Sequence, residues 1–155
     1  MDKSLKTILV TGGAGYVGSV LIKKLLSQNF NIKIIDSLVY GSDGISDHLG
    51  NNSLELINTD IRKIQDIPDI FHNVDCIIHL AAVVGEPLCK KIPLAAKQIN
   101  EFATKNLIKL SKKSGIKRFI FASTCSNYGK MDGSSDFVIE ESLRFCPRVR
   151  ACYSG

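Results

Sequence analysis

A cluster of glycines between two patterned segments constrains this chain more than any other feature. The preceding run, Thr7–Val10, consists of β-branched residues and Leu, which is typical of a buried strand, and apolar residues recur at helical spacing after the glycines. The cluster fits GxGxxG from Gly13 or GxxGxxG from Gly12, and both registers share Gly15 and Gly18. A strand, a glycine turn and a helix in this order predict a site for a dinucleotide's phosphates.

Each glycine of the turn has a physical task if a dinucleotide binds there. An early glycine permits the tight turn, Gly15 has no Cβ and lets a pyrophosphate approach the backbone, and Gly18 allows close packing of the helix on the sheet. The free amides and the positive dipole end of the helix then face the phosphates. A glycine turn with a purely structural role is the alternative.

An acidic residue closes the second predicted strand, Asn31–Asp36, 24 residues after Gly12. The carboxylate of Asp36 can accept both ribose hydroxyls of an adenosine. It also repels a 2′-phosphate, by about 4 kcal/mol for each charge pair at 4 Å and an effective dielectric constant near 20. No Arg or Lys lies between Ser37 and His48 to offset this repulsion. The sequence therefore predicts NAD rather than NADP, and a strand-end cap is the alternative role of Asp36.

Predicted strands and helices alternate along the rest of the chain. Strands that are apolar throughout favour a parallel sheet covered on both faces, and hence an α/β, doubly wound (Rossmann) fold, truncated after about five strands. Residues 1–155 then form a single, incomplete dinucleotide-binding domain. The further predicted elements are strands at Leu54–Thr59, Asp75–Leu80 and Lys117–Ser123, a weak helix over 62–72, and a long helix at Leu94–Ser114.

The apolar faces of the first and the long helix are predicted to be buried against the sheet. The strand order of the fold leaves the fifth strand at an edge, where its apolar, flat sequence predicts aggregation. The residues of the two apolar faces are Val17, Val20, Leu21, Leu25, Ala95, Ala96, Ile99, Phe102, Ala103, Leu107 and Leu110.

The composition of the 155 residues is 45% hydrophobic and 23% charged, with a formal net charge of +5. These proportions exclude a collagen, a disordered tail, a coiled-coil rod and a disulfide-dense mini-protein. The lysines come mostly in pairs on amphipathic stretches without interleaved aromatic residues, so we expect no nucleic-acid partner. No segment approaches the roughly 18 consecutive apolar residues of a membrane span, so we expect no membrane partner.

Five cysteines form no CxxC pair, and the three histidines are separated from one another by at least six other residues. We therefore expect no metal site. An odd number of scattered thiols suits a reducing compartment, which predicts a cytoplasmic location. His79 is expected to be a strand-end residue whose ring is satisfied by neighbouring backbone.

Five further segments and the glycine turn form a series. They are Asp36-Ser37-Leu38, Asp60-Ile61-Arg62, His79-Leu80-Ala81-Ala82, Asn100 with Ala103-Thr104 and Asn106-Leu107, and Ser123-Thr124-Cys125-Ser126-Asn127-Tyr128-Gly129. In this order the six segments resemble the extended short-chain dehydrogenases/reductases, often called NAD-dependent epimerase/dehydratases of nucleotide sugars. The resemblance covers the chain to about residue 141, and it selects the GxxGxxG register.

The resemblance implies which residues contact NAD. The glycine turn and the segment after the second strand serve the diphosphate and the ribose, the segment at Asp60 touches adenine, and the loop after the fourth strand passes along the cofactor. The implied cofactor-binding residues are Gly12, Gly15, Tyr16, Val17, Gly18, Asp36, Ser37, Leu38, Asp60, Ile61, Leu80, Ala81, Ala82, Asn100 and Ser123.

The resemblance also implies a mechanism on a nucleotide sugar. The Tyr of a Tyr-x-x-x-Lys pair removes a proton from a sugar hydroxyl, NAD⁺ takes the hydride from the same carbon, and the Lys lowers the pKa of the Tyr. Thr124 would hydrogen-bond the reacting oxygen, with a turn hydroxyl that bonds nearby backbone as its alternative role, and Tyr153 would be the catalytic Tyr. The keto sugar is then epimerised, dehydrated or released.

The segment around Tyr153 departs from the family pattern. Pro147 stands six residues before Tyr153, where about four or five is usual, and the Lys would fall two positions beyond Gly155. A truncation or a frameshift is an alternative origin for the tail after Leu143. The 155 residues are therefore expected to bind NAD weakly and to lack catalysis. The family often dimerises through the helix equivalent to 94–114 together with the helix that carries the Tyr and Lys, so the resemblance allows a homodimer.

The favoured prediction is an NAD-dependent epimerase/dehydratase of a nucleotide sugar, of which this chain is the cofactor-binding part. A non-catalytic dinucleotide sensor or regulatory module is the alternative, since related folds also serve that way. A third interpretation is another Rossmann-type enzyme, such as a methyltransferase, and the Asp60-Ile61 and Ser123-Thr124 segments argue against it.

Overall fold

The computed structural model describes residues 6–123, and within them strands and helices alternate as predicted. Each strand lies within two residues of its predicted ends. The strands are β1 (Thr7–Thr11), β2 (Asn31–Asp36), β3 (Leu54–Asn58), β4 (Cys76–His79) and β5 (Arg118–Phe121). The helical segments are α1 (Tyr16–Ser27), a 3-10 helix at Asp43–His48, a second at Ile61–Asp66, α2 (Glu86–Lys91), α3 (Pro93–Lys97), a π-helical segment at Gln98–Ala103, and α4 (Thr104–Lys113).

The five strands form one parallel sheet in the order β3-β2-β1-β4-β5. In this sheet Thr11 is in register with Ile35 on one side and with His79 on the other. The chain builds outward from β1 first in one direction and then, from β4, in the other. The doubly wound prediction is confirmed, and the point where the order reverses lies between the carboxyl ends of β1 and β4, where such sheets bind ligands.

The core has two layers, one on each face of the sheet. Leu9 and Ile77 face the layer that α4 covers through Leu107. Val10 and its neighbours on the other strands face the layer that α1 covers through Ile22. Adjacent residues of each central strand are therefore both buried, which is why these strands are apolar throughout rather than alternating.

The prediction for the apolar faces is wrong at three residues. Leu107, Ala96 and Ala103 are buried as expected, whereas Val17, Val20 and Phe102 are exposed, Phe102 by 53%. In α1 the helix approaches the turn through Gly18 and the sheet through Ile22, so the buried stripe follows these two positions instead. In the long helix the π-helical segment widens one turn, which changes the phase of the residues that face the sheet.

Short helical segments account for the remaining differences from the prediction. The weak helix expected over 62–72 is a single 3-10 helix that ends at Asp66, before Pro68. The helix expected at Leu94–Ser114 is continuous in direction but consists of α3, the π-helical segment and α4. α2 and the 3-10 helix at Asp43–His48 carry too few residues for a periodic signal, and both were missed.

β5 lies at the edge of the sheet, as the strand order predicted. Its residues Ile120 and Phe121 are about half exposed. This edge therefore offers apolar side chains and unpaired backbone groups within the part of the chain that the structure describes. Aggregation through this edge stays a prediction. None of the helices between residues 6 and 123 combines the length and the apolar content that crossing a membrane would require.

Leu107 and Phe102 both belong to the apolar face predicted for the long helix, but they should respond differently to replacement by alanine. Leu107→Ala is expected to lower the free energy of unfolding by about 2–5 kcal/mol, because Leu107 is fully buried. Phe102→Ala should change it by less than about 1 kcal/mol, because the ring is half exposed. Urea denaturation followed by circular dichroism measures both, and equal losses would contradict the observed phase of the helix.

Candidate functional site

The residues predicted to bind a cofactor follow the carboxyl ends of neighbouring strands. Gly12 follows β1, Asp36 ends β2, Asp60 follows β3 and Leu80 follows β4. Because the strands are parallel, these ends meet along one edge of the sheet, on both sides of the point where the strand order reverses. The fold thus brings four of the predicted segments into one row.

Gly12 is required by the path of the chain after β4. Its φ of +74° lies in the left-handed region, and its amide donates to the carbonyl of Ile35 at 2.8 Å. A Cβ on Gly12 would lie 2.7 Å from the amide nitrogen of Ala81 and 2.9 Å from the carbonyl carbon of Leu80. The glycine turn and the loop after β4 are therefore in direct backbone contact.

Gly18 and Gly15 differ in what the protein itself demands of them. A Cβ on Gly18 would collide with the carbonyl oxygens of Gly12 and Gly13, so the helix packs closely on the turn, not only on the sheet as predicted. Gly15 has an ordinary φ of −72°, and a Cβ there would meet only the carbonyl oxygen of Gly12, at 3.4 Å. The fold therefore needs Gly18 but leaves the space beside Gly15 open.

The N-terminus of α1 is open to a ligand. Gly15 is its N-cap and provides no side-chain hydrogen bond, and the first turn holds no acidic residue. Tyr16 is 91% exposed and Val17 is also exposed. The amides of this first turn thus point away from the helix with the positive end of the helix dipole, which favours a negatively charged group.

Asp36 connects the glycine turn to the loop after β2. Its Oδ2 accepts from the amide of Ala14 at 3.0 Å, and its Oδ1 accepts from the amide of Leu38 at 2.9 Å. The capping role considered as an alternative is therefore present in the geometry. A carboxylate has about four acceptor sites, so each oxygen keeps capacity for a further hydroxyl. Ser37 is exposed beside it, and Leu38 adopts a φ of +54°.

Asp60 forms an ion pair with Arg62 that sequence reasoning did not anticipate. Nη2 of Arg62 lies 2.6 Å from Oδ2 of Asp60, and Nη1 donates to Oε1 of Gln98 at 2.8 Å. The hydrogen bond from Arg62 lowers the pKa of Asp60, so this carboxyl stays ionised. The side chain of Ile61 is buried in the core, which leaves its backbone as the part that can face a ligand.

The loop after β4 is held on both sides. The amide of Leu80 donates to the carbonyl of Thr11 at 2.9 Å, and the amide of Ala81 donates to Thr11 Oγ1 at 3.3 Å. The side chain of Asn100 makes two hydrogen bonds with the backbone of Val83. It accepts from the amide and donates to the carbonyl, each at 2.8 Å. The structure thus places Asn100, predicted as a cofactor contact, against the loop itself, where Ala82 is exposed.

His79 differs from its expectation because its partners are side chains, not backbone. The ring is 1% exposed, with Nδ1 2.6 Å from Thr11 Oγ1 and Nε2 2.8 Å from Thr104 Oγ1. Its ring lies near those of Phe119 and Phe121, with centroids 6.2 and 5.7 Å away. Burial lowers the pKa of His79 to about 4, so the ring is neutral at physiological pH.

The structure brings some predicted residues together and leaves others aside. Ser123 is exposed, two residues after β5. Thr124 and Tyr153, predicted as catalytic, lie outside the described residues.

The residues that sequence reasoning missed are Arg62 as a partner of Asp60 and the Thr11–His79–Thr104 group. A histidine at the end of an apolar strand was the available signal, because a buried polar ring needs hydrogen-bond partners.

A family model described as NAD dependent epimerase/dehydratase matches residues 8–154. The chain belongs to this family. The family resemblance inferred from the six sequence segments is therefore confirmed, and NAD is the cofactor of the family, as predicted.

Relatives of known activity support the same assignment. UDP-glucuronic acid decarboxylase 1 of Xenopus tropicalis is 34% identical, over 98% of this chain and 35% of that protein. The structure of UDP-N-acetylglucosamine 4-epimerase from Methanobrevibacter ruminantium, in complex with UDP-N-acetylmuramic acid, is similar with a TM-score of 0.79 and 29% identity, over 95% of this chain and 46% of that one. UDP-glucose-4-epimerase from Stenotrophomonas maltophila, with NAD bound, has a TM-score of 0.73 and 27% identity, over 84% and 40%. This chain of the epimerase/dehydratase family thus spans less than half the length of these relatives.

Two glycines of the turn should differ in their effect on stability. Gly18→Ala is expected to lower the free energy of unfolding by about 1–3 kcal/mol or more, since its Cβ would collide with two backbone oxygens. Gly15→Ala should change it by less than about 1 kcal/mol, because its φ suits alanine and the space beside it is open, whereas alanine is a poorer N-cap than glycine. Thermal and urea unfolding of both variants test this, and a larger loss in Gly15→Ala would contradict the geometry of the turn.

The neutral, buried ring of His79 should make stability depend on pH. Its pKa is about 4 in the folded chain and about 6.5 when unfolded, so folding disfavours protonation. The free energy of unfolding that the neutral ring contributes is fully present above pH 6.5. It is lost as the pH falls from 6.5 to 4, by about 3 kcal/mol in all. Urea unfolding of wild type and His79→Phe across this range measures it. The wild type should lose more stability on acidification, and parallel curves would refute a neutral His79.

Proposed function

We propose that this chain binds NAD along the carboxyl ends of its strands, as one cofactor-binding domain of an enzyme that acts on a nucleotide sugar. The observation that carries the proposal is the open space at Gly15, beside a helix N-terminus with no side-chain cap. A glycine that the fold does not need, at the position where a phosphate would touch the backbone, supports a ligand as its reason.

The diphosphate fits the first turn of α1. The amides there have no acidic side chain within the turn to neutralise them, and the Cβ that any other residue would place at Gly15 would fill the approach. An anion at this position would gain hydrogen bonds from the amides and the favourable dipole of a 12-residue helix. The exposed Tyr16 and Val17 border the same turn, which supports their predicted contact with the cofactor.

The adenosine end fits the row of Asp36 and Asp60. The amide of Thr59 donates to the carbonyl of Asp36 at 2.9 Å, so the two acids stand on adjacent chain segments. Asp36 keeps acceptor capacity for ribose hydroxyls and would repel the 2′-phosphate of NADP. Much of the acceptor capacity of Asp60 is used by Arg62, so we propose that adenine meets the backbone of this turn as well.

The reaction itself is proposed from the family and from residues beyond the described range. Bound NAD⁺ would supply a hydride acceptor. Thr124 would hold the reacting sugar oxygen by a hydrogen bond, and Tyr153 would remove the hydroxyl proton once a neighbouring cation lowers its pKa. The relatives named above support a nucleotide sugar as the substrate class. We propose that the 155 residues bind NAD without turnover, because they correspond to less than half the length of the relatives named above.

Partners and location are proposed on the same basis. A homodimer through the helix over residues 93–113 is allowed by the family resemblance, and the exposed ring of Phe102 lies on that helix. A cytoplasmic location follows from the thiol pattern of the sequence. Within residues 6–123, Cys76 and Cys89 are both buried and neither is in a disulfide.

Binding of NADH to the 155-residue chain tests the diphosphate site. Wild type should bind, and Gly15→Ala should weaken binding by about tenfold or more, because loss of close backbone contact to a charged group costs about 1.5–3 kcal/mol. Gly50→Ala is the matched control: it adds the same methyl group into open space, on the segment that precedes β3. Titration calorimetry measures the three. No heat for wild type, or equal losses in both variants, would contradict the proposal.

The role of Asp36 is tested by the choice between NADH and NADPH. Wild type should bind NADH up to about a thousandfold more tightly, the factor expected from about 4 kcal/mol of charge repulsion. Asp36→Ala should reduce this ratio towards one. The ratio is insensitive to a loss of folded protein, since both ligands meet the same sample. An unchanged ratio in Asp36→Ala would remove Asp36 from the ribose site.

A further inference from the structure

We define the cofactor loop as Leu80–Val83, and we propose that His79 is a positioning residue for it. Through its hydrogen bonds with Thr11 and Thr104, His79 fixes the distance between this loop and Gly12. This role deepens the proposed function and depends on it. His79 itself does not need to touch the cofactor.

The two ring nitrogens of His79 connect separate elements of the fold. Nδ1 lies 2.6 Å from Oγ1 of Thr11, the last residue of β1, and Nε2 lies 2.8 Å from Oγ1 of Thr104, the first residue of α4. A neutral imidazole has one donor and one acceptor nitrogen, and a threonine hydroxyl can serve either. The rigid ring thus sets the separation between the end of β1 and the start of α4.

Thr11 transmits this position to the loop. Its carbonyl accepts from the amide of Leu80 and its Oγ1 accepts from the amide of Ala81, so one residue holds the first two amides of the cofactor loop. Ala81 is also the residue that a Cβ on Gly12 would strike. A shift of Thr11 would therefore move the loop relative to the glycine turn.

Packing alone does not explain a histidine at this position. The rings of Phe119 and Phe121 lie near the imidazole, and a phenyl ring would suit such neighbours without the cost of burying polar atoms. The imidazole instead pairs both nitrogens, which is what an element that must fix a distance requires. The far side of the loop is fixed separately, by Asn100 on Val83.

Three substitutions separate the two nitrogens. An Asn amide reaches about as far as Nδ1 and keeps the Thr11 contact, a Gln amide reaches about as far as Nε2 and keeps the Thr104 contact, and a phenyl ring keeps neither. We expect His79→Gln, which loses the Thr11 contact, to weaken NADH binding about tenfold, the effect of one lost buried hydrogen bond, and His79→Phe, which loses both contacts, to weaken it at least as much. His79→Asn should weaken binding less, by about threefold, because it keeps the Thr11 contact through which the loop amides are held and loses only the Thr104 contact.

Ile77→Ala is the control for lost stability. Ile77 lies on the same strand, is fully buried, and packs in the same core layer as Leu107. Its truncation should destabilise the chain and leave the NADH affinity of the folded protein unchanged. Equal weakening by Ile77→Ala and His79→Phe, or unchanged affinity in His79→Phe, would overturn the positioning role. If His79→Phe does not fold, Thr11→Val against Thr11→Ser is the substitute pair, and only the hydroxyl-free Val should weaken binding.

Hydrogen exchange distinguishes this inference from the proposed function. If wild type fails to bind NADH, the proposed function fails, while the position of the loop can still be measured in the unliganded chain. The amides of Leu80 and Ala81 should exchange faster in His79→Phe than in Ile77→Ala at matched global stability. Equal exchange rates would overturn the control of the loop by His79.

Discussion

Three segments of the chain meet in direct backbone contact, with no side chain between them, and the rest of the structure depends on this contact. The turn after β1, the start of α1 and the loop after β4 meet at Gly12 and Gly18, where a Cβ would lie within 3 Å of backbone atoms. This contact brings the carboxyl ends of β1 and β4 together, at the point where the strand order reverses. It leaves the helix N-terminus and the space at Gly15 free on the outer side. The shape of the proposed cofactor site thus follows from the absence of a Cβ at Gly12 and Gly18.

The acidic residues of the site combine structural and proposed ligand roles. Asp36 ties the amides of Ala14 and Leu38 together, and Asp60 caps a 3-10 helix while it pairs with Arg62. Such bonds orient the carboxylates before a ligand arrives, which lowers the ordering cost of binding. A capping role and a ribose-binding role are therefore compatible at Asp36, because the carboxylate has more acceptor sites than the backbone uses.

The central strands β1, β2 and β4 could be predicted from the sequence because both their faces are buried, so each appears as an apolar run bounded by polar residues or glycine. The edge strands β3 and β5 have similar apolar runs, although their side chains are partly exposed. The helix faces were less predictable. The phase of α1 is set by its contact at Gly18, and that of the long helix by a π-helical turn, and neither produces a hydrophobic pattern that differs from an ordinary helix. Val17 and Phe102 consequently looked like core residues and are exposed.

The sequence by itself determined the fold class, the position of the glycine turn and the acid that ends the second strand, because these depend on local order along the chain. Tertiary structure alone decided the hydrogen-bond partners of His79, the ion pair of Asp60 and the hydrogen bonds of Asn100 with the backbone of Val83. Thr11, His79 and Thr104 are far apart in sequence and meet only because a parallel sheet and a crossing helix bring a strand end, its neighbour and a helix start together. Hydrogen bonds between such residues leave no periodic signal in one sequence, so the folded chain is needed to reveal them.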